Sequence, residues 1–125
     1  MTLVDTCFLI DLIKGEPRAE QIVLQYPDLK TTAVSSAEFL YGAKLSRKRD
    51  FYEISEKFLD FFPIVPFDAE AARIYAELAS NLTGTGRHIS TFDELITAIA
   101  LRHHEPLITR DKHYREIDGL ELILY

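Results

Sequence analysis

The chain has 125 residues, 47% hydrophobic and 27% charged, the composition of a folded globule with enough length for a real core. Its 14 Lys and Arg against 20 Asp and Glu leave a formal charge of −6, which excludes a basic groove that grips nucleic acid by phosphate contacts alone. A nucleic-acid enzyme that borrows positive charge from a bound metal is not excluded.

Cys7 is the single cysteine, so no internal disulfide is expected and a cytoplasmic location is. Asp5 and Asp11 interrupt the apolar start, which argues against a signal peptide. The uncharged stretch Leu95–Leu101 is far below the roughly 20 residues of a membrane span, so no membrane association is expected. Without repeats, low-complexity segments or linkers, residues 1–125 read as a single domain.

Thr2-Leu3-Val4 reads as a short buried strand, followed by an apolar-rich helix from Thr6 to about Lys14. Gly15-Glu16-Pro17 ends it, and Pro17 is placed to open a second helix over Arg18–Leu24. Lys30–Val34 is the next strand candidate, closed by Ser35-Ser36, with a helix from Ala37 to Leu45 after it. Phe51, Ile54, Phe58, Phe61 and Phe62 share one helical face. Ile64-Val65 is a strand between two prolines, and Ala72, Tyr75, Leu78, Ala79 and Leu82 stripe another helix. Thr83-Gly84-Thr85-Gly86 is a break, after which Phe92, Leu95, Ile96, Ile99, Ala100 and His103 recur at helical spacing. Pro106–Thr109 and Leu120–Leu124 are the last strands, with a short helix around Lys112–Ile117 between them. Short apolar runs separated by helices predict an α/β fold with a mostly parallel sheet covered on both faces.

Four acids fall where such a sheet delivers residues to one edge. Asp5 and Asp111 follow two strand candidates, and Glu38 and Asp93 lie in the first turns of two helices. Each has a plain structural explanation. Asp5 and Asp111 are suited to cap helices, Ser35-Ser36-Ala37-Glu38 fits a capping box, and Asp93 complements a helix dipole. Thr91 to Glu94 already makes a capping box, however, which leaves Asp93 surplus. Like charges brought within about 4 Å repel by about 4 kcal/mol per pair at an effective dielectric near 20. Hard cations relieve that repulsion, and Mg²⁺ or Mn²⁺ prefers carboxylate oxygen and water. Asp68 is expected to cap its helix, and Asp11, one turn beyond Asp5, is expected at the surface.

Other chemistries fit poorly. His103 and His104 are adjacent on a helix and diverge, and His88 and His113 lack zinc-ligand spacing. No Cys-His-Asp arrangement accompanies Cys7, so a thiol nucleophile is rejected. Thr83–Gly86 matches neither a Walker loop nor a dinucleotide fingerprint.

Leu3-Val4-Asp5-Thr6-Cys7-Phe8-Leu9-Ile10-Asp11 resembles the opening motif of PIN domains of the VapC type. Ser35–Ala43, Phe92–Ala98 and Leu107–Asp111 resemble that branch's second, third and fourth motifs, in the expected order over nearly the whole chain. The resemblance implies a three-layer α/β/α sandwich and a Mg²⁺- or Mn²⁺-dependent endoribonuclease. It further implies the toxin half of a toxin–antitoxin pair, usually a homodimer. Carried over by position, Asp5, Glu38, Asp93 and Asp111 are the acidic quartet, with Thr6 and Thr109 as orienting hydroxyls. Cys7 stands where relatives often carry Asn or Ser, and Thr91 where many carry a further acid. Lys44, Arg87 and Arg110 are candidate RNA contacts. The alternatives are a PIN-like module that binds RNA or protein without cleaving and, less compatible with acids on helices, a phospho-acceptor receiver domain.

Overall fold

The computed structural model describes residues 1–87 and 89–125, and the expectation for His88 lies outside the described residues. Strands β1 (Thr2–Val4), β2 (Leu29–Thr32), β3 (Ile64–Val65), β4 (Leu107–Thr109) and β5 (Leu122–Leu124) form one sheet in the order β3-β2-β1-β4-β5. Each pairing is parallel, with Val4 opposite Thr31 on one side and Ile108 on the other.

The helices are α1 (Thr6–Ile13), α2 (Pro17–Gln25), α3 (Ala33–Leu45), α4 (Phe51–Leu59), α5 (Ala69–Gly84) and α6 (Thr91–His103), with a 3-10 turn over Lys112–Glu116. Side chains of β1 and β4 alternate between two cores, as the two-residue period of a strand requires. Leu3 and Leu107 join Ile96, Ile99 and Ala100 on one face, while Val4 and Ile108 join Phe8, Leu9, Phe39 and Leu59 on the other. Both central strands are buried along their whole length, which is why they read as apolar runs without alternation. Helices therefore cover both faces, giving the α/β/α sandwich expected.

The chain lays down β1, β2 and β3 in one direction, then crosses to the other side of β1 for β4 and β5. The crevice between the carboxyl ends of β1 and β4 is thus the switch point where open α/β sheets bind ligands.

Several helix boundaries differ from the sequence expectation. β2 stops at Thr32, and α3 starts four residues earlier than Ala37. Thr32 caps it, its Oγ1 accepting from the Ser35 amide at 2.9 Å, so the capping box from Ser35 to Glu38 does not form. Ser90, not Thr91, caps α6, accepting from the Asp93 amide at 3.1 Å. Both boundaries move because an upstream hydroxyl reaches the free amides first. α5 continues to Gly84, and Gly86 supplies the left-handed turn at φ +70°. Asp68 caps α5 as expected, 2.8 Å from the Ala71 amide. α4 ends at Leu59, and the phenylalanine face divides: Phe62 is buried while Phe61 is 83% exposed. Among the described residues no helix is long and apolar enough to cross a membrane.

Candidate active site

Asp5 leaves β1 in extended backbone and caps α1, its Oδ1 accepting from the Phe8 amide at 3.0 Å. The capping explanation is therefore true, yet it uses only part of the side chain. Oδ2 accepts from Thr109 Oγ1 at 2.5 Å, and the Cys7 thiol donates to the same carboxylate at 3.0 and 3.2 Å. Burial nevertheless outweighs these donors and pushes Asp5 up from 3.8 to about 6, with the charge of Asp93 acting in the same direction.

Because α3 begins at Ala33, Glu38 sits in its second turn rather than its first. That rotation carries its carboxylate to α1, where Thr6 Oγ1 donates to Oε1 at 2.7 Å. Burial, then the charge of Asp93, raises the Glu38 pKa, against the opposing effect of the Thr6 hydrogen bond. Asp93 occupies the first turn of α6, and its Oδ1 accepts from the Tyr114 hydroxyl at 2.8 Å. Asp5, Glu38 and Asp93 thus share one electrostatic environment.

Asp111 reaches the same edge but turns its carboxylate elsewhere. Its Oδ1 accepts from the His113 amide at 2.9 Å and lies 2.7 Å from His113 Nδ1. Its link to the other acids is Thr109, whose Oγ1 accepts from the Asp111 amide at 3.0 Å while donating to Asp5. Among the described residues no group of three or more His, Cys, Asp or Glu side chains converges tightly enough to enclose a metal ion unaided. The donor set still suits Mg²⁺ or Mn²⁺: hard oxygen ligands, with like charges that a cation would relieve. Mg²⁺ commonly takes only one or two carboxylates and keeps several waters.

Two features, at Tyr114 and Asp11, were not legible in the sequence, while Cys7 makes its hydrogen bonds at a position the sequence had singled out. Tyr114 looks like a core aromatic and is one, at 2% exposure, but its hydroxyl serves Asp93. Burial and Asp93 push its phenol pKa up, so it remains a donor. Cys7 is likewise a donor, since burial and Asp5 push its thiol up to about 11, in keeping with no nucleophilic role. Asp11 corrects the surface expectation: its side chain is 14% exposed, and Oδ2 lies 2.8 Å from Arg110 Nε and 2.7 Å from the Tyr125 hydroxyl, which donates to it.

The candidate RNA contacts all have partners within the chain. Arg110 pairs with Asp11, Arg87 donates to the Glu116 carbonyl at 2.7 Å, and Lys44 Nζ sits 3.7 Å over the Tyr52 ring. Away from the acids, Leu12, Val23, Leu24, Tyr26, Phe58 and Phe61 line an open apolar groove of about 600 Å³.

The sequence pattern of the PIN domain family matches residues 2–120. The chain is 29% identical to the VapC ribonuclease Y4jK of Sinorhizobium fredii, covering 98% of this chain and 96% of the relative. It is 30% identical to Ribonuclease VapC5 of Mycobacterium tuberculosis, covering 94% and 87%. The crystal structure of VapBC-5 from Mycobacterium tuberculosis, described as a member of the VapBC family of toxin-antitoxin systems, is similar with a TM-score of 0.78 at 27% identity, covering 99% of this chain and 98% of that one. With the switch-point acids held by the ends of β1 and β4, the second turn of α3 and the first turn of α6, these matches place the sequence: the chain belongs to the PIN domain family, in its VapC-type branch.

Proposed function

We propose that this chain, as one domain over residues 1–125, is an endoribonuclease toxin that depends on Mg²⁺ or Mn²⁺ and is restrained by a cognate antitoxin. The observation that carries the reading is that the charge of Asp93 acts on both Asp5 and Glu38 at the switch point, and that each of the three acids has an oxygen held by a hydroxyl from another segment. The ribonuclease names of the relatives and the toxin–antitoxin description of the structural neighbour support it.

Asp5 and Asp93 would hold the ion, directly or through water, and Asp111, whose carboxylate here engages His113, would complete the set. A bound divalent ion supplies charge neutralisation at the scissile phosphate and acidifies water there. Thr109 and the Phe8 amide keep the Asp5 carboxylate fixed, so its orientation costs nothing further when substrate arrives. Thr6 holds Glu38 Oε1 and leaves Oε2 to orient the attacking water and accept its proton. Water attacks phosphorus in line, the ester P–O bond opposite breaks, the leaving ribose oxygen takes a proton from solvent water, and no covalent enzyme intermediate forms.

An RNA cleavage assay with Mg²⁺, Mn²⁺ or EDTA tests this. Cleavage is expected with either ion and lost in chelator, and Asp5→Asn and Asp93→Asn should each remove most of it. Full activity in EDTA overturns the metal mechanism, and normal cleavage by either variant overturns that residue's role. The homodimer expected for the free chain is checked by size exclusion with light scattering.

A further inference from the structure

We propose that Tyr114 is a positioning residue: its hydroxyl fixes Asp93 Oδ1 and so presents Oδ2 to the divalent ion. This rests on the reading of Asp93 as a metal ligand. The ring is wedged in the core with Ile96, Ile99 and Ile117, at 2% exposure, so the hydroxyl has little freedom of its own. A hydroxyl carried into an apolar core is costly unless it is hydrogen-bonded, and phenylalanine would fill the same space without that cost. Here the oxygen emerges where the core meets the acid cluster, 2.8 Å from Asp93 Oδ1.

The same device recurs on the neighbouring acids. Thr6 on α1 holds Glu38 on α3, and Thr109 on β4 holds Asp5 after β1. In each case the hydroxyl belongs to a different element from the acid, so it fixes the carboxylate relative to the whole site rather than to its own helix. Thr109 and Thr6 orient their acids over short side chains. Tyr114 does so from the 3-10 turn through a rigid ring. Partners of this kind tune how well a carboxylate ligates, and their loss commonly lowers metal affinity by about 10- to 100-fold.

The test is Mn²⁺ titration of the RNA-free full chain, followed by electron paramagnetic resonance, for the wild type and Tyr114→Phe. The substitution keeps the ring and its apolar contacts, and urea unfolding of the ion-free proteins verifies that both are folded. Affinity should fall about tenfold in the variant, with a matching drop in cleavage at fixed subsaturating Mn²⁺ that excess Mn²⁺ largely restores. On an Asp93→Asn background, adding Tyr114→Phe should change the residual Mn²⁺ affinity by less than twofold. Variant affinity within twofold of wild type overturns the role of Tyr114 alone, as does an equal loss on both backgrounds. A wild type that takes up no Mn²⁺ overturns this proposal together with the metal-site reading beneath it.

Discussion

Arg110 Nε lies 2.8 Å from Asp11 Oδ2, and the Tyr125 hydroxyl donates to that same oxygen from 114 positions further along the chain. The neighbouring carboxylate pushes the arginine's pKa up, holding it charged but compensated. An arginine next to the proposed site residue Asp111 is thus paired before any phosphate arrives. Asp11→Asn should release it: RNA binding strengthens at low salt, and the slope of log affinity against log salt steepens by about 0.7, the value for one further contact to a single strand. Arg110→Ala should change that slope little. Filter binding across a salt series checks both.

Asp5 links the site to stability. Its folded pKa, about 6, stands above its ordinary 3.8, so the folded chain holds this proton more tightly than the unfolded one. Stability from this group is therefore present at low pH and is lost as pH rises through about 6, a cost of at most about 3 kcal/mol for a shift of this size. Without divalent ion, Asp5→Asn should be more stable than wild type above pH 7, by less than that figure because the amide cannot accept from Thr109 as the carboxylate does. The gap should close between pH 6 and pH 4. Urea unfolding in EDTA at a series of pH values measures it.

Added Mg²⁺ should act in the opposite sense. A ligand that binds only the folded chain stabilises by about 2.7 kcal/mol at a hundredfold excess over its dissociation constant. The melting temperature of wild type should rise with Mg²⁺ near pH 7.5, while Asp5→Asn and Asp93→Asn should respond weakly or not at all.

Thr109 is fully buried and bridges two acids, donating to Asp5 and accepting from the Asp111 amide. Thr109→Val keeps its shape and removes both bonds. The loss of a bond to a charged group predicts about 2 kcal/mol lower stability at pH 8 and cleavage reduced about tenfold or more. Thr109→Ser should recover most of both, as read by denaturant unfolding and initial rates.

Phe61 is exposed and forms part of the lining of the apolar groove. Phe61→Asp should leave folding stability within about 0.5 kcal/mol yet weaken capture of the proposed antitoxin. Titration with the purified antitoxin checks this, and unchanged affinity would place the antitoxin on another surface.

The sequence by itself determined the α/β class, the run of strands and helices, and the delivery of acids to one sheet edge, because these follow from short-range periodicity and from motifs carried in order. Helix starts were less legible: Thr32 and Ser90 took the caps that local pattern assigned to Ser35 and Thr91, since competition among nearby hydroxyls for the free amides is settled by the incoming strand or loop. Only the tertiary structure decided that Glu38 turns toward Thr6, that Asp111 engages His113, that Asp11 is enclosed by Arg110 and Tyr125, and that a core tyrosine serves Asp93. Apart from the local Asp111–His113 contact, these pairs join residues far apart in the chain. Such pairing depends on how strands register and helices rotate against the sheet, which no window of neighbouring residues contains.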